Sequence, residues 1–434
     1  MNPYPSYNDS GVEWIGKVPN EWSIVKYKSL GENIVDNIGT EDFKDKKVIH
    51  YSIPNVQSFG KGVMELGNDI KSSKLLFKGG ELIISKLNPR KSTVCIVEEF
   101  EDNIILGSGE FVVLYPKIMD SKYLYYFVIT SKYTDFLDSC VESVTRSHQR
   151  VNPSIIYNSY IPNPSEIEQT QIVSFLDTKT QKIDELIEKT EQKIELLKEK
   201  RTSLINHCVT KGLNPNVEMK DSGVEWIGEI PRDWDSLPLK YFGQVTLGKM
   251  LTPEDKGGYF LKPYLRSKNI QIEKVNILDL KEMWFSENEL NRLRLKKGDL
   301  LFNEGGDVGR TCQWNEEINE CYIQNSVNRV RLPDDNERYY LHLSILYHSE
   351  GYYDSLVNRV SIPHLTKEKL ESVKFLRPPL SEQTQIVEYL DEQTQKIDTT
   401  IEKETQRIEL LKEYRQSLIS EVVTGKVDVR DYNG

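Results

Sequence analysis

The sequence predicts an α+β protein in which two similar globular domains are joined by two long antiparallel coiled-coil helices, with an internal pseudo-two-fold repeat. Two observations predict this architecture. Two blocks of sequence each occur twice at nearly the same separation, and one of them has the periodicity of a long helix in both copies. Between the blocks, short apolar runs that alternate with polar residues are broken by Gly, Asn and Pro, which is typical of strands and turns.

A short segment near the N-terminus occurs again in the middle of the chain. DSGVEWIG stands at residues 9–16 and, letter for letter, at residues 221–228. The similarity continues, since KVPNEW at residues 17–22 corresponds to EIPRDW at residues 229–234. Eight consecutive identities do not arise by chance in a chain of 434 residues. A separation of 221 − 9 = 212 residues is far too long for a solenoid, so the sequence predicts two domains, each with its own appendage.

The second repeated block has the sequence of a long helix. It starts with EQTQIV at residues 168–173 and again at residues 382–387, shortly after prolines that favour a helix start. Apolar residues then recur at heptad spacing and are flanked by Glu, Lys and Gln, as in a coiled-coil seam. We expect this seam to contain Leu176, Ile183, Ile187, Ile194, Leu197 and Leu204 in the first copy, and Leu390, Ile397, Ile401, Ile408, Leu411 and Leu418 in the second copy.

Matching seams predict that the two helices pair with each other, and that they run antiparallel if the globular domains lie at opposite ends. Two unrelated amphipathic helices, each packed on its own domain, remain the alternative interpretation. Polar residues also fall at seam positions, among them Thr180, Arg201, Thr394 and Arg415. Polar seam residues lower stability but fix the alignment of a coiled coil, so we expect them to hold one helix register and one distance between the domains.

Taken in chain order, these features divide the sequence into segments. The expected segments are an entry segment (1–22), a first globular domain (23–164), a first long helix (165–208), a linker with the second entry motif (209–234), a second globular domain (235–378), a second long helix (379–424) and a C-terminal tail (425–434). The repeated heptad block within each helix, about 36 residues at ~1.5 Å per residue, would be roughly 55 Å long.

The composition is that of a folded, charge-rich protein. Hydrophobic residues make up 38% and charged residues 28% of the chain, and the mean hydropathy is -0.53. No apolar run approaches the ~20 residues of a membrane-spanning helix, and residues 1–20 lack the pattern of a signal peptide, so a cytoplasmic location is expected. The five cysteines are scattered without a CxxC pair, which argues against a disulfide framework and against a metal site.

The two entry motifs and the two EQxxIVxxLD helices, arranged around two dissimilar globular domains, resemble the specificity subunit of type I restriction-modification systems. The resemblance extends over essentially the whole chain. It implies that each globular domain is a target recognition domain for one half of a bipartite DNA site. It also implies that the repeated helices set the gap between the half-sites, and that the entry motifs around Trp14 and Trp226 pack where the helices meet the domains.

The same resemblance implies the partners of the chain. They are double-stranded DNA and two methyltransferase (modification) subunits, with restriction subunits as a further candidate and no membrane. S-adenosylmethionine and ATP are expected on the partner subunits, and no cofactor is expected on this chain. The formal net charge of -11 counts against DNA binding, because DNA-binding proteins usually have a basic surface. We therefore expect the acidic residues to lie on the helices, or the partners to complete a basic channel.

No catalytic or metal-binding residue is predicted. A DNA methyltransferase would need a Gly-rich S-adenosylmethionine turn and an Asn-Pro-Pro-aromatic motif, and neither occurs. The Gly-rich residues 303–310 (NEGGDVGR) lack the Lys-Ser ending of a phosphate loop, so we interpret them as a tight turn that presents Arg310. Two alternatives stay open: a coiled-coil adaptor that binds two protein partners without DNA, which fits the acidic charge, and a tandem DNA-modifying enzyme with an unrecognised site.

Side-chain chemistry indicates which residues are candidate DNA contacts. Arg pairs with guanine, Asn and Gln pair with adenine, and Lys, Ser and Thr bind phosphates, provided that the side chains are free of the core. An ordinary solvated loop is the alternative for each cluster. The candidates are Lys86, Asn88, Arg90, Lys91, Arg146, Ser147, Gln149 and Arg150 in the first domain, and Arg266, Lys268, Asn269, Arg310, Asn358 and Arg359 in the second domain.

Overall fold

The computed structural model describes residues 2–33, 35–142, 149–357 and 363–432. The chain divides into two compact units, Met1–Glu191 with Thr405–Gly434, and Gln192–Glu404. Each unit contains one globular domain and a part of each long helix. Among the described residues, no helix combines the length and the apolar composition that a membrane span requires.

The first unit consists of short strands and helices followed by the first long helix. Its strands are β1 (Tyr7–Asp9), β2 (Lys17–Pro19), β3 (Ser23–Lys26), β4 (Gly31–Glu32), β5 (Asp36–Ile38), β6 (Lys47–Tyr51), β7 (Val63–Leu66), β8 (Lys74–Phe77), β9 (Leu82–Ser85), β10 (Val94–Ile96), β11 (Ile104–Gly107), β12 (Phe111–Pro116), β13 (Val141–Glu142), β14 (Arg150–Val151) and β15 (Tyr160–Asn163). Its helices are α1 (Thr40–Phe43), α2 (Ile53–Phe59), α3 (Ser121–Val128), α4 (Ser131–Ser139) and α5 (Pro153–Asn158), and the long helix is α6 (Glu166–Lys211).

The second unit repeats this plan with fewer strands among the described residues. Its strands are β16 (Met219–Asp221), β17 (Glu229–Pro231), β18 (Asp235–Pro238), β19 (Gln244–Leu247), β20 (Phe260–Leu265), β21 (Lys281–Phe285), β22 (Leu300–Asn303), β23 (Thr311–Gln313), β24 (Tyr322–Ile323), β25 (Val327–Arg331) and β26 (Lys374–Arg377). Its helices are α7 (Glu287–Leu293), α8 (Glu337–Ser349), α9 (Tyr352–Ser355) and α10 (Lys367–Ser372), and the second long helix is α11 (Leu380–Val423). Short 3-10 turns occur at Tyr27–Ser29, Gly67–Asp69, Pro89–Lys91, Leu239–Tyr241 and Ser267–Asn269.

The repeated DSGVEWIG segment forms the same tight connection in both units. It joins the antiparallel strands β1 and β2 in the first unit and β16 and β17 in the second. Its two glycines have positive φ angles, 71° and 73° for Gly11 and Gly16, and 68° and 67° for Gly223 and Gly228. Because an L side chain disfavours this conformation, both copies retain glycine at both places.

Each globular domain contains a four-stranded antiparallel sheet of the same topology. The strand order is β4-β12-β9-β10 in the first domain and β19-β25-β22-β23 in the second. The inner strands β9 and β22 are buried along their whole length. A second sheet also shares its order, β7-β6-β11 against β21-β20-β24, with a parallel pair in each case. The first domain extends this sheet by β8 and β5.

The two long helices pack antiparallel against each other within each unit. In the second unit, Lys193 of α6 lies 2.5 Å from Glu404 of α11, and Arg201, further along α6, lies 3.1 Å from Asp398, which is earlier in α11. Residue numbers therefore rise along one helix as they fall along the other. The predicted seam residues are buried or half-buried.

The first unit contains the equivalent ion pair. Arg415 of α11 donates two hydrogen bonds to Asp184 of α6, at 2.8 and 3.1 Å. The polar seam residues Thr180 and Thr394 are buried, and each hydroxyl donates to a backbone carbonyl of its own helix at 2.7 Å. The structure thus has the predicted fold class: α+β, with two similar globular domains, two long antiparallel helices and an internal repeat.

The same glutamine attaches each long helix to its globular domain. The buried Gln169 of α6 accepts a hydrogen bond from the backbone N–H of Asp120, the N-cap of α3, at 2.8 Å. Gln383 of α11 accepts the equivalent bond from the N-cap of α8, Asn336, also at 2.8 Å. Both amides also donate to a proline carbonyl just before their helix. The long helix therefore fixes the first turn of the domain helix next to it.

The repeated tryptophans belong to the aromatic packing of each domain. Trp14 stacks on Phe136 of α4, with ring centroids 4.8 Å apart. Trp226 packs edge-to-face on Tyr347 of α8 at 5.1 Å. Each entry motif is thereby held on the helical side of its domain.

Candidate nucleic-acid interface

The first candidate cluster lies on the connection between β9 and β10. Asn88 and Ser92 both have a φ angle of 47°, and the 3-10 turn Pro89–Lys91 lies between them. Asn tolerates this left-handed conformation better than most residues, and two left-handed residues so close together make the connection turn sharply. The turn leaves Arg90 and Lys91 exposed, while Lys86 and Asn88 are half-buried.

A second segment of the first domain pairs with this connection. The backbone N–H of Asn88 donates to the carbonyl of Gln149 at 2.8 Å, and that of Val151 donates to the carbonyl of Lys86 at 2.9 Å. Residues 86–93 and 149–151 are called the first loop pair below. It unites Lys86, Asn88, Arg90, Lys91, Gln149 and Arg150, whereas the predicted contacts Arg146 and Ser147 lie outside the described residues.

One carboxylate lies between the cations of the first loop pair. Glu110 accepts two hydrogen bonds from the Arg150 guanidinium, at 2.8 and 3.1 Å, and its carboxylate lies 4.0 Å from the Lys86 ammonium. Hydrogen bonding to Glu110, together with its charge, raises the pKa of Arg150. The positive charge of this surface is therefore partly neutralised by the protein itself.

The equivalent connection in the second domain runs from β22 to β23. It turns through Gly306 and Gly309, whose φ angles are 80° and 77°. A Cβ atom on Gly309 would lie 2.2 Å from the ring of Tyr353, so this glycine is also required by close packing. The turn directs Arg310 onto the carbonyl of Ser267 at 3.1 Å and onto Asp307 at 3.3 Å.

The residues after position 362 pair with this connection. His364 forms a β-bridge with Gly305, and the N–H of Leu365 donates to the carbonyl of Glu304 at 2.7 Å. Residues 304–310 and 363–365 are called the second loop pair below. The predicted contacts Asn358 and Arg359 lie outside the described residues.

The 3-10 turn Ser267–Asn269 lies against the second loop pair, because the Ser267 hydroxyl donates to the carbonyl of Gly305 at 3.1 Å. Arg266 and Lys268 both bind Asp279, at 2.7 and 3.0 Å. Hydrogen bonding and charge from Lys268, followed by the charges of its other basic neighbours, lower the pKa of Asp279.

Asn269 has a structural role within this turn. Its side chain is 2% exposed, its amide oxygen accepts from the N–H of Arg266 at 3.1 Å, and its amide nitrogen donates to the carbonyl of Asn276 at 2.8 Å. The amide that suggested an adenine contact is thus used to hold the turn. Local composition does not reveal such burial.

Equivalent loops therefore meet in both domains, and each basic cluster contains a carboxylate. Glu110, Asp279 and Asp307 were not among the predicted site residues. Glu110 and Asp279 pair with cations that are distant in sequence. Asp307, three residues before Arg310, is close enough in sequence for its pairing to be expected, whereas Glu110 lies 40 residues from Arg150. Among the described residues, no group of His, Cys, Asp and Glu is arranged to hold a metal ion.

The two repeated domains decide the family. The family model described as the type I restriction modification DNA specificity domain matches residues 19–196 and again residues 231–412. The chain belongs to this family. Each specificity domain comprises one globular domain and the first part of the long helix that follows it.

Curated relatives of this family are similar over most of the chain. A putative type I restriction enzyme MjaX specificity subunit of Methanocaldococcus jannaschii is 24% identical, over 96% of this chain and 96% of its own length. The type I restriction enzyme MjaVIII specificity subunit of the same organism is 26% identical, over 73% of this chain and 72% of its own length.

Solved structures share the fold of the specificity domains. A chain from a structure describing complex assembly and conformational transition of the type I R-M system superposes with a TM-score of 0.72 at 18% identity, covering 94% of this chain and 99% of that chain. The HsdS subunit from Thermoanaerobacter tengcongensis superposes with a TM-score of 0.58 at 17% identity, covering 94% and 98%.

Proposed function

We propose that the chain is the non-catalytic, sequence-specific DNA-recognition subunit of a type I restriction-modification complex. The first domain (residues 23–164) recognises one half of a bipartite DNA site, and the second domain (residues 235–378) recognises the other half. The observation that carries this proposal is the duplicated specificity domain, in which one sheet topology presents different side chains on equivalent loop pairs. A common framework with two surfaces suits two different half-sites.

The loop pairs supply the chemistry for DNA recognition. Guanidinium and amide groups match the edges of guanine and adenine in the major groove, and lysines match phosphates. Asn269 acts indirectly, by shaping the turn that carries its neighbours. The proposed contacts are Lys86, Asn88, Arg90, Lys91, Arg146, Ser147, Gln149 and Arg150 for the first half-site, and Arg266, Lys268, Arg310, Asn358 and Arg359 for the second.

The long helices set the gap between the half-sites in this proposal. The repeated ion pairs Arg201–Asp398 and Arg415–Asp184 hold one helix register, because a shift of one helix would separate both pairs. A duplicated scaffold offers two equivalent docking surfaces, which suits two modification subunits. S-adenosylmethionine, ATP and catalysis belong to those partners and to restriction subunits where these are present, and the complex acts in the cytoplasm.

The test is to express the chain with a type I modification subunit in a host without other DNA methylation and to map methylated bases across the genome. The proposal expects a bipartite motif with a fixed gap that appears only when the chain is present. Gel-shift measurements on the isolated chain add a second readout, since phosphate contacts make binding fall steeply with salt. No chain-dependent methylation together with no DNA binding would contradict the proposal and favour the adaptor alternative.

A further inference from the structure

Arg201 joins the long helices to the second globular domain. Its Nε atom lies 3.1 Å from a carboxylate oxygen of Asp398 on α11. Its Nη1 and Nη2 atoms each lie 3.3 Å from Oε1 of Glu273 in the globular domain. A planar guanidinium suits this arrangement because its donors point in fixed directions and reach more than one acceptor. One side chain of α6 thus binds a carboxylate on the other helix and a carboxylate on the domain.

Glu273 has a backbone conformation that favours glycine. Its φ angle is 67°, in the left-handed region where a larger side chain is strained. Its N–H donates to the carbonyl of Thr311 at 3.2 Å, and it forms a β-bridge with Cys312. A strained residue persists where its surroundings hold it, and here the ion pair with Arg201 and the pairing with β23 do so.

Glu273 lies between the second loop pair and the 3-10 turn that contacts it. It follows the 3-10 turn Ser267–Asn269, which contacts the second loop pair, and it pairs with the start of β23, which directly follows Arg310. Because backbone bonds connect Glu273 to both parts, a displacement of Glu273 relative to α6 would move both.

The first unit lacks this link among the residues that the structure describes. Arg415, the equivalent of Arg201, directs its Nε and Nη2 atoms to Asp184 on α6, and no described carboxylate of the first globular domain lies within ion-pair distance of it. The two repeats therefore share the ion pair between the helices and differ in the link to the domain.

We propose that Arg201 and Glu273 are positioning residues that set the orientation of the second loop pair relative to α6. The proposal rests on the proposed function, because it assigns the second loop pair to one half of the DNA site. It makes discrimination at the second half-site depend on the Arg201–Glu273 ion pair, whereas discrimination at the first half-site is independent of it.

The test uses the full chain in complex with a modification subunit and measures methylation rates on three duplexes. One carries the mapped site, one a single mismatch in the first half, and one a single mismatch in the second half. Glu273→Gln removes the charge at constant shape, and Glu273→Gly removes it while also relieving the backbone strain. Glu316→Gln is the matched control, because Glu316 is an exposed glutamate of the same domain with a φ angle of 62°.

The methylation rate on the duplex with the second-half mismatch is compared with the rate on the mapped site. Both Glu273 variants are expected to raise this ratio by about two- to five-fold, which is the range for a partly exposed ion pair. The first-half mismatch and the Glu316→Gln variant are expected to show no change. Glu273→Gly should do this without lowering Tm, which separates positioning from a general loss of stability. An equal change at both halves, or no change in either Glu273 variant, would overturn the inference alone. A wild-type complex without a bipartite methylation pattern would overturn the proposed function as well.

Discussion

The two globular domains are attached to the long helices by residues of the same type at equivalent positions. Their loop pairs, in contrast, have almost no side chains in common. Tyr123 and Tyr339 occupy the same position in α3 and α8, are fully buried, and donate to carbonyl oxygens near the ends of α11 and α6 at 3.3 and 3.0 Å. In contrast, the first loop pair exposes Arg90, whereas the second binds Arg310 to Asp307. Buried polar contacts accept few alternatives, because an unsatisfied group costs free energy, while exposed loops vary freely.

The matching glutamine attachments predict similar losses of stability in the two units. Gln169→Ala and Gln383→Ala each leave a part-buried N-cap N–H and a buried proline carbonyl without their partner. We expect each to lower the free energy of unfolding by roughly 3 to 5 kcal/mol, measured by urea denaturation. Thr170→Ala and Thr384→Ala, one position further along, are the controls and should cost under about 0.5 kcal/mol. A large loss for one glutamine alone would show that the attachments are not equivalent.

Acid should lower the stability of the second unit through a buried histidine that the first unit does not have at the equivalent position. The second domain has the buried His342 where the first has Tyr126, at the same distance from the helix N-cap. Burial, followed by the charge of Arg338, lowers the pKa of His342 from 6.5 to about 4. The unfolded state therefore binds a proton more readily, so stability that is present above pH ~6.5 is lost as the pH falls toward ~4. The loss is on the order of 3 kcal/mol.

The free energy of unfolding is measured by urea denaturation between pH 7 and pH 4.5 for the wild type and for His342→Leu. Subtracting the two values at each pH cancels the contribution of the carboxylates. The variant should have the flatter profile over this range. Identical profiles would mean that His342 does not titrate differently in the folded and unfolded states.

Replacement of one arginine in each loop pair should show which half-site that loop pair recognises. Arg90→Ala and Arg310→Ala are each expected to reduce discrimination by about 1 to 3 kcal/mol at one half-site only, as loss of a base contact does. Methylation rates on singly mismatched duplexes measure this effect. A uniform loss on all duplexes would identify the arginine as a phosphate contact, and an effect at the opposite half-site would contradict the domain assignment.

Neutralising the carboxylates within the basic clusters should have the smallest effect, and that effect should be on DNA affinity. Glu110→Gln releases Arg150, and Asp279→Asn releases Arg266 and Lys268. Each is expected to raise affinity for non-specific DNA by about two- to five-fold, because a competitor for phosphate is lost. The salt dependence of binding should become steeper at the same time. A gain in affinity that does not depend on salt would contradict this electrostatic explanation.

The sequence predicted the framework because the same residues meet the same physical demands in both copies. The glycines of DSGVEWIG mark left-handed turns, and the heptads of α6 and α11 mark a paired seam. It did not predict which loops meet, since Asn88 and Gln149 are brought together only by the folded chain. Nor did it distinguish the buried Asn269 from exposed candidates, because residue type alone does not determine burial.

The most direct test of the account exchanges residues 23–164 for the corresponding domain of another specificity subunit and maps methylation by the complex. We expect one half of the bipartite motif to change to that of the donor, while the other half and the gap stay the same. A motif that changes in both halves, or that keeps both halves, would contradict the assignment of one half-site to each globular domain.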